Sequence, residues 1–374
     1  MGSLHSFSGL FNKALSFIQP LPILLRPVLI ILIFGLSFPL AGWAQQDELF
    51  SSEEIFRITL SGEIATLLRD RSGEPEYTPL SLSYEDAEKG TVEIPLKVRQ
   101  RGNFRRIKAN CSFPPLLLNF AKKTTANTKF EGQDKIKLVM PCRDEQYVLQ
   151  EYYTYKLYNL VTPRSFRVRL VEVKLDDEAL KNRQKSPFFG FLLEEEDQMA
   201  QRNNMVPIKR KMLRPEATRR EDFLNMAVFN YLIGNTDWSV QYRQNIKLIA
   251  EDSISLPVTV PYDFDHAGIV RASYAEPAEE LELTSTLHRR YRGYCIEDMR
   301  TFENVVKKYD SIREQLYAVY TSQPLLDEKY VKKTLKYLDE FYADLHDPEK
   351  LREEFQYPCQ KDGTGHIVIK GLKN

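Results

Sequence analysis

Several familiar catalytic signatures are missing from this 374-residue chain. There is no G-x-S-x-G nucleophile elbow, no H-E-x-x-H zinc helix, no Walker loop and no dinucleotide fingerprint, so the common enzyme classes that these motifs mark lose support. A net charge is also missing. The 52 basic side chains balance the 52 acidic ones, which disfavours nucleic acid as the main partner. No internal repeat or low-complexity tract is present.

The N-terminus combines two cations with a short apolar run. Residues 1–26 hold Lys13 and Arg26 and no acidic residue, residues 27–40 are nearly all apolar, and residues 41–44 read Ala-Gly-Trp-Ala, which a signal peptidase can recognise. We therefore predict a signal peptide over residues 1–44 and an exported mature chain, periplasmic or secreted. The run is shorter than the ~20 residues of a membrane span, so no span is expected after cleavage. An uncleaved anchor is the alternative.

Hydrophobic periodicity divides the mature chain into two regions. Alternation of apolar and polar residues predicts strands in the first region, and apolar stripes at helical spacing predict helices in the second. The fold class is therefore α+β, with a β-rich region over 45–195, a mainly helical region over 196–360 and a loosely held tail over 361–374. The predicted strands cover 56–120 as hairpins, 165–175 and 187–193, and the predicted helices cover 148–160, 223–233, 296–320 and 327–345.

Three polar residues in the second region are predicted to meet. Residues 246–250 and 256–262 are short apolar runs bounded by polar residues, which predicts a hairpin centred near Ile254. In an antiparallel pair the numbers of two opposed residues have a constant sum. A hairpin centred near Ile254 therefore places Asn245 beside Asp263 at its open end. Asp237 lies eight residues before Asn245, close enough for a loop to fold back. Ordinary turn chemistry is the alternative explanation of these Asn and Asp residues.

Oxygen ligands of this kind suit Mg²⁺, whose octahedron is completed by waters and substrate phosphates. In phosphoryl transfer the protein mainly positions groups and neutralises charge. A site for phosphoryl transfer therefore needs few residues: one Asp that orients an attacking hydroxyl, and an Asn and an Asp that bind the metal.

The same residues resemble a known family, the CotH-type atypical kinases. In that family an N-T-D…H-N-Y-Y-L segment precedes a P-W-D-Y-(N/D) segment, and an R-G-N motif and a G-(aromatic)-L-L-x-E strand come earlier. The resemblance spans about residues 95–270. The matching segments here are Arg101-Gly102-Asn103, Gly190-Phe191-Leu192-Leu193-Glu194, Asn235-Thr236-Asp237, Asn245-Ile246-Lys247-Leu248 and Pro261-Tyr262-Asp263-Phe264-Asp265.

This resemblance implies a bilobal protein kinase-like fold that binds ATP with Mg²⁺ or Mn²⁺. Position by position, it implies that Asp237 is the catalytic Asp and that Asn245 and Asp263 are metal ligands. Asp265 completes the predicted metal set. Glu194, at the end of the strand that leads to the interlobe hinge, joins the predicted cofactor-binding set.

The phosphate-binding cation is where the chain departs from the family. The strand after R-G-N usually carries a Lys pair, but residues 111–120 contain no cation. Arg101 is the preferred substitute, because its neighbours Gly102 and Asn103 permit a close backbone approach to a phosphate. Lys137 can serve from a neighbouring strand, with Glu151 on the following helix as its ion-pair partner; a solvent-facing Lys is the alternative. Further positive charge in the Arg101 loop comes from Arg105, Arg106 and Lys108, for which a solvated basic turn is the alternative.

The leading hypothesis is an exported kinase-like protein that transfers a phosphoryl group to a hydroxyl acceptor, with proteins of the cell envelope as candidate acceptors. An exported bacterial protein meets little ATP, so a catalytically inactive pseudokinase that uses its cleft to bind a ligand or protein is the alternative. A metal-dependent phosphohydrolase built on the same carboxylates is a third reading.

The four cysteines all lie in the mature chain, and an even count in an exported protein permits two disulfides. No close C-x₂-C pair supports a zinc site. Of the three possible connectivities, Cys111 with Cys142 and Cys295 with Cys359 is preferred, because each pair then stays within one proposed lobe.

Overall fold

A computed structural model describes residues 48–360, so the predicted signal peptide over 1–44 and the tail over 361–374 lie outside the described residues. The described residues belong to one compact unit of mixed α and β structure. None of the helices within 48–360 combines the length and the apolar character that a membrane crossing requires.

Seven strands close into a barrel in the order β1-β2-β3-β4-β5-β7-β6. Neighbours pair antiparallel except β1 and β6, which run parallel and complete the ring. The strands are β1 (Phe56–Gly62), β2 (Thr78–Asp86), β3 (Gly90–Gln100), β4 (Leu116–Phe120), β5 (Lys135–Val139), β6 (Val168–Asp176) and β7 (Phe188–Leu193). The β-rich prediction for the first region is confirmed at the level of its strands, while closure of the sheet was not predicted.

The helices and the second sheet account for most of the remaining elements. A small sheet has the order β10-β9-β8, and its strands are β8 (Val206–Pro207), β9 (Ile246–Ala250) and β10 (Val258–Pro261). The helices are α1 (Glu48–Ser51), α2 (Ile64–Arg69), α3 (Glu145–Val161), α4 (Asn182–Lys185), α5 (Glu196–Arg202), α6 (Arg220–Ile233), α7 (Glu303–Ser311), α8 (Arg313–Thr321), α9 (Glu328–His346) and α10 (Pro348–Phe355).

One of the helix predictions needs correction. The stretch 296–320 is not one helix, because the chain forms a 3₁₀ turn at Met299–Phe302 and then two helices, α7 and α8, separated at Ile312. Helix α5 and strand β8, between β7 and α6, were not predicted. The predicted helices over 148–160, 223–233 and 327–345 correspond to α3, α6 and α9.

Alternation along the barrel strands decides which side chains reach the site. Ile136 and Leu138 of β5 belong to the apolar core inside the barrel, so Lys137 between them points outward. Helix α3 covers this outer surface, where its Tyr155 and Phe191 of β7 join a second apolar core. That second core continues into α6, the small sheet and the C-terminal helices. Lys137 therefore faces the side of the barrel on which the later part of the chain packs.

Both preferred disulfides are present. Cys111 bonds to Cys142 and Cys295 bonds to Cys359, with Cα–Cα distances of 4.4 Å and 4.6 Å. The first links the loop after β3 to the chain between β5 and α3. The second links the irregular segment before α7 to the turn after α10. Such bonds fit a protein of an oxidising compartment.

Candidate functional site

Asp237 is delivered by the end of helix α6. The helix ends at Ile233, and its C-cap Gly234 adopts a left-handed conformation with φ 66°, which glycine adopts without strain. The side chain of Asn235 then accepts a hydrogen bond from the Asp237 amide at 3.0 Å and donates to the Asn230 side chain at 2.8 Å. These contacts fix the turn after the helix and leave the Asp237 side chain only 6% exposed.

Asn245 binds Asp237 directly. Its Nδ2 donates to the backbone oxygen of Asp237 at 2.8 Å and to the carboxylate Oδ2 at 2.9 Å. The hairpin holds this residue in place, because the Tyr262 amide donates to the Asn245 carbonyl at 3.0 Å. Ile246 pairs with Pro261, so Asn245 lies opposite Tyr262 rather than Asp263. The predicted register is therefore wrong by one residue, yet both side chains remain at the same end of the hairpin.

Asp263 is held between the small sheet and the barrel. Its amide donates to the Tyr155 hydroxyl of α3 at 2.8 Å, and its Oδ1 accepts from Lys137 Nζ at 2.8 Å. The side chain is 34% exposed. Burial opposes ionisation, but the charges of Lys137 and Arg105 hold the pKa of Asp263 well below its usual range. Asp263 is therefore an anion that faces the solvent-accessible part of the site.

Arg105 joins two further carboxylates beneath this anion. Its Nη2 lies 2.6 Å from Glu151 Oε2 and its Nε lies 2.8 Å from Asp265 Oδ2. All three side chains are less than 10% exposed. Burial raises the pKa of Glu151 to about 7, while the Arg105 charge acts in the opposite direction. The same carboxylates raise the pKa of Arg105 in spite of its burial.

These contacts correct two expectations. Lys137 was predicted to pair with Glu151, but it pairs with Asp263, and Arg105 takes the place beside Glu151. Arg105 was placed in a basic loop whose alternative was a solvated turn, and it is buried instead. Its ion pairs span 46 and 160 residues of sequence, so no local pattern could have indicated them.

A cleft of about 380 Å³ gathers most of the predicted site residues. It brings together Asp237, Asn245, Asp263 and Asp265 with the exposed Arg101 and with Lys137. One wall comes from residues of the 101–137 stretch and the other from residues 237–266. The full lining is Arg101, Gly102, Asn103, Phe104, Arg105, Pro115, Lys137, Asp237, Gln244, Asn245, Tyr262, Asp263, Asp265 and His266.

Two predicted cofactor-binding residues lie outside this lining. Glu194 follows β7, and its carboxylate accepts from Arg202 Nε at 3.0 Å and Nη2 at 2.9 Å and from the Arg167 amide at 2.9 Å. Glu151 lies below the cleft, on the far side of Arg105. Its carboxylate oxygens nevertheless come within 4.8 Å of those of Asp263 and Asp265, which makes this trio the acidic cluster of the site.

Comparisons with known proteins give limited information. No protein-family model matches the chain, and no curated protein matches it. Among solved structures, the chain is similar to the Helicobacter pylori proinflammatory kinase CtkA, with 12% sequence identity and a TM-score of 0.41, over 69% of this chain and 96% of that one. At this identity and TM-score the likeness does not indicate what this chain binds or does.

Proposed function

We propose that this protein is a kinase-like phosphotransferase that uses a nucleotide with Mg²⁺ or Mn²⁺ and transfers a phosphoryl group to a hydroxyl acceptor. The observation that carries the proposal is the convergence of Asp237, Asn245 and Asp263 in one cleft with the cations Lys137 and Arg101. Phosphoryl transfer requires this combination of an acid-base group, oxygen ligands and positive charge.

Each residue has a role in the proposed reaction. Asp237 accepts the proton of the acceptor hydroxyl while that oxygen forms a bond to the terminal phosphorus of ATP, and the bond from phosphorus to the bridging oxygen breaks to release ADP. Lys137 and Arg101 contact phosphate oxygens. Asn245 holds the Asp237 carboxylate at 2.9 Å and thereby orients the base.

The donor set fits a hard divalent cation. Asp263 is ionised and one third exposed, and Asn245 donates both of its bonds through Nδ2, which leaves its side-chain oxygen for a metal. Asp265 is a weaker candidate, because Arg105 already engages its Oδ2. Bound there, Mg²⁺ would supply positive charge against the phosphate oxygens.

The proposal also includes a two-lobed architecture and an exported location. The barrel and the mainly helical region that follows it would act as two lobes, since the cleft takes its walls from both. The two disulfides are compatible with export, and the acceptor would then be a molecule of the cell envelope.

One observation favours the alternative of a catalytically inactive binding module. Lys137 and Arg105 already neutralise Asp263 and Asp265, so a metal must compete with two ion pairs formed within the protein. In that case the cleft binds an anionic ligand or a protein segment and no phosphoryl group is transferred.

Thermal denaturation with ATP, in the presence and absence of Mg²⁺ or Mn²⁺, tests the binding half of the proposal. Ligand at 100 times its dissociation constant stabilises the native state by about 2.7 kcal/mol, so the melting temperature should rise with nucleotide and metal together. Asp263→Asn should abolish the metal-dependent part of the shift. Asn is chosen because residue 263 has φ 63°, a conformation that Asn tolerates better than Ala.

Transfer of labelled phosphate from the terminal position of ATP tests the chemical half. Asp237→Asn should retain the metal-dependent shift and lose transfer by about 10²-fold or more. A wild-type protein that shows no metal-dependent shift contradicts the proposal. One that binds nucleotide but transfers nothing to itself or to envelope extracts supports the inactive binding module.

A further inference from the structure

Arg292 reaches the backbone of the Asp237 turn from a distant part of the chain. It lies in the irregular segment before α7, and its Nη1 donates to the Thr236 carbonyl and, at 2.7 Å, to the Trp238 carbonyl. One guanidinium nitrogen therefore binds the backbone on both sides of Asp237. Its planar group also lies 5.2 Å from the centre of the Trp238 ring.

These two bonds complete the hydrogen bonding of the turn. The Asp237 carbonyl accepts from Asn245 Nδ2 at 2.8 Å, and the Asp237 amide donates to Asn235 Oδ1 at 3.0 Å. With the bonds from Arg292, the three consecutive carbonyls of residues 236, 237 and 238 all accept from side chains. The position of the Asp237 carboxylate depends on this backbone and on the bond that its Oδ2 accepts from Asn245 Nδ2 at 2.9 Å.

Arg292 interacts electrostatically with Asp237 and Glu280. Burial lowers the pKa of Arg292 to about 10, and the charges of Asp237 and Glu280 oppose that shift. The guanidinium therefore remains charged at neutral pH and attracts the Asp237 carboxylate.

The segment that carries Arg292 is fixed on both sides. Three residues before it, Arg289 donates to the Leu232 carbonyl at 3.2 Å and lies 3.6 Å from the centre of the Tyr337 ring. Three residues after it, Cys295 is bonded to Cys359. The backbone that carries Arg292 is thus held by contacts that do not involve the cleft.

We propose that Arg292 is a positioning residue for Asp237, which it holds in the orientation that proton transfer from the acceptor requires. This inference rests on the proposed function, since it needs Asp237 to act as the base. Arginine suits the role because one planar group presents several donors in fixed directions, whereas a lysine ammonium does not. A displacement of about 1 Å of a catalytic group can cost about 10²-fold in rate.

Kinetics of Arg292→Met, Arg292→Lys and the control Arg290→Met test the proposal. Arg290 is the matched control, because it lies two residues away and its guanidinium contacts the Tyr357 ring at 4.0 Å, outside the cleft. We expect kcat to fall by about 10²-fold in Arg292→Met with KM for the metal-nucleotide unchanged. Arg292→Lys should lie between that variant and wild type, and Arg290→Met should match wild type. Equal kcat values in Arg292→Met and Arg290→Met would overturn the proposal.

A second readout does not depend on activity. The chain has two tryptophans, Trp43 and Trp238. Trp43 lies in the predicted signal peptide, so Trp238 is the single indole of the mature chain, or of a Trp43→Phe variant if the signal is retained. Arg292→Met should shift its emission to the red and increase its quenching by acrylamide, while Arg290→Met should leave both unchanged. If the emission maximum and the acrylamide quenching of Arg292→Met equal those of wild type, the proposal that Arg292 fixes the turn is wrong. If wild type transfers no phosphate, the proposed function fails, and the indole measurement still decides whether Arg292 fixes the turn.

Discussion

The free energy of unfolding of Glu151→Gln should increase relative to that of wild type as the pH rises. Glu151 is fully buried, and burial raises its pKa to about 7. In the unfolded chain a Glu has a pKa of about 4.3. Between these values the native state keeps a proton that the unfolded state has lost, so the free energy of unfolding falls as the pH rises through this window.

The size of the effect follows from the same two values. A difference of about 2.7 pKa units corresponds to about 3.7 kcal/mol at 1.36 kcal/mol per unit, most of which falls between pH 5 and 8. Gln has no proton to lose, and its side-chain oxygen can still accept from Arg105. The difference in unfolding free energy between Glu151→Gln and wild type should therefore grow by up to ~3 kcal/mol from pH 5 to pH 8, or roughly 5–10 °C in melting temperature.

Thermal denaturation at half-unit pH steps under non-reducing conditions measures this difference. The matched control is Asp263→Asn, another carboxylate-to-amide change at the same site. The pKa of Asp263 is depressed in the folded state, so its contribution is lost only as the pH falls below about 4. Its difference from wild type should change less between pH 5 and 8 than that of Glu151→Gln, because the Asp263 charge contributes less to the raised pKa of Glu151 than burial does. A difference for Glu151→Gln that changes no more than that of the control, or that shrinks with rising pH, would refute the reasoning.

Three further outcomes are expected. Lys137→Met should weaken the affinity for the metal-nucleotide by about tenfold or more in titration calorimetry, a loss of ~1.4 kcal/mol. Lys137→Arg should bind the metal-nucleotide more tightly than Lys137→Met. Equal affinity in wild type and both variants would contradict a contact between Lys137 and phosphate. A Cys111→Ser, Cys142→Ser double variant should lose about 4 kcal/mol of unfolding free energy in urea, because that bond closes a loop with a sequence separation of 31; an unchanged value would count against this. Gly234→Ala should lose more than about 2 kcal/mol of unfolding free energy, because φ is 66° at this residue and the added Cβ would lie 2.8 Å from a backbone oxygen. A melting temperature equal to that of wild type would exclude this strain.

Local sequence signals were enough to predict the elements that carry the site. Helix α6 and the following hairpin depend on periodicity and turn residues, and both are present. The error of one residue in the hairpin register has a local cause. Tyr262 was counted as the last residue of the second strand, but β10 ends at Pro261, which pairs with Ile246.

Long-range pairings could not be predicted in the same way. The barrel closes through β1 and β6, which pair in parallel across more than a hundred residues. Arg105 and Arg292 contact partners that are far away in sequence. The sequence around an arginine contains no periodic pattern from which such a partner can be identified. The sequence therefore indicated which residues could carry out the chemistry, whereas the residues that hold them in place had to come from the structure.

Backbone conformation restricts two positions of the site independently of their chemistry. Asn245 and Asp263 have φ values of 50° and 63°, a region that Asn and Asp enter more easily than other residues with a side chain. A protein with this backbone would favour Asn or Asp at both positions whether or not a metal binds there. Asp237 is not among the described residues with positive φ. Of the three, residue 237 is thus the one whose identity its backbone conformation does not dictate, and an Asp there is the best indicator of the proposed proton transfer.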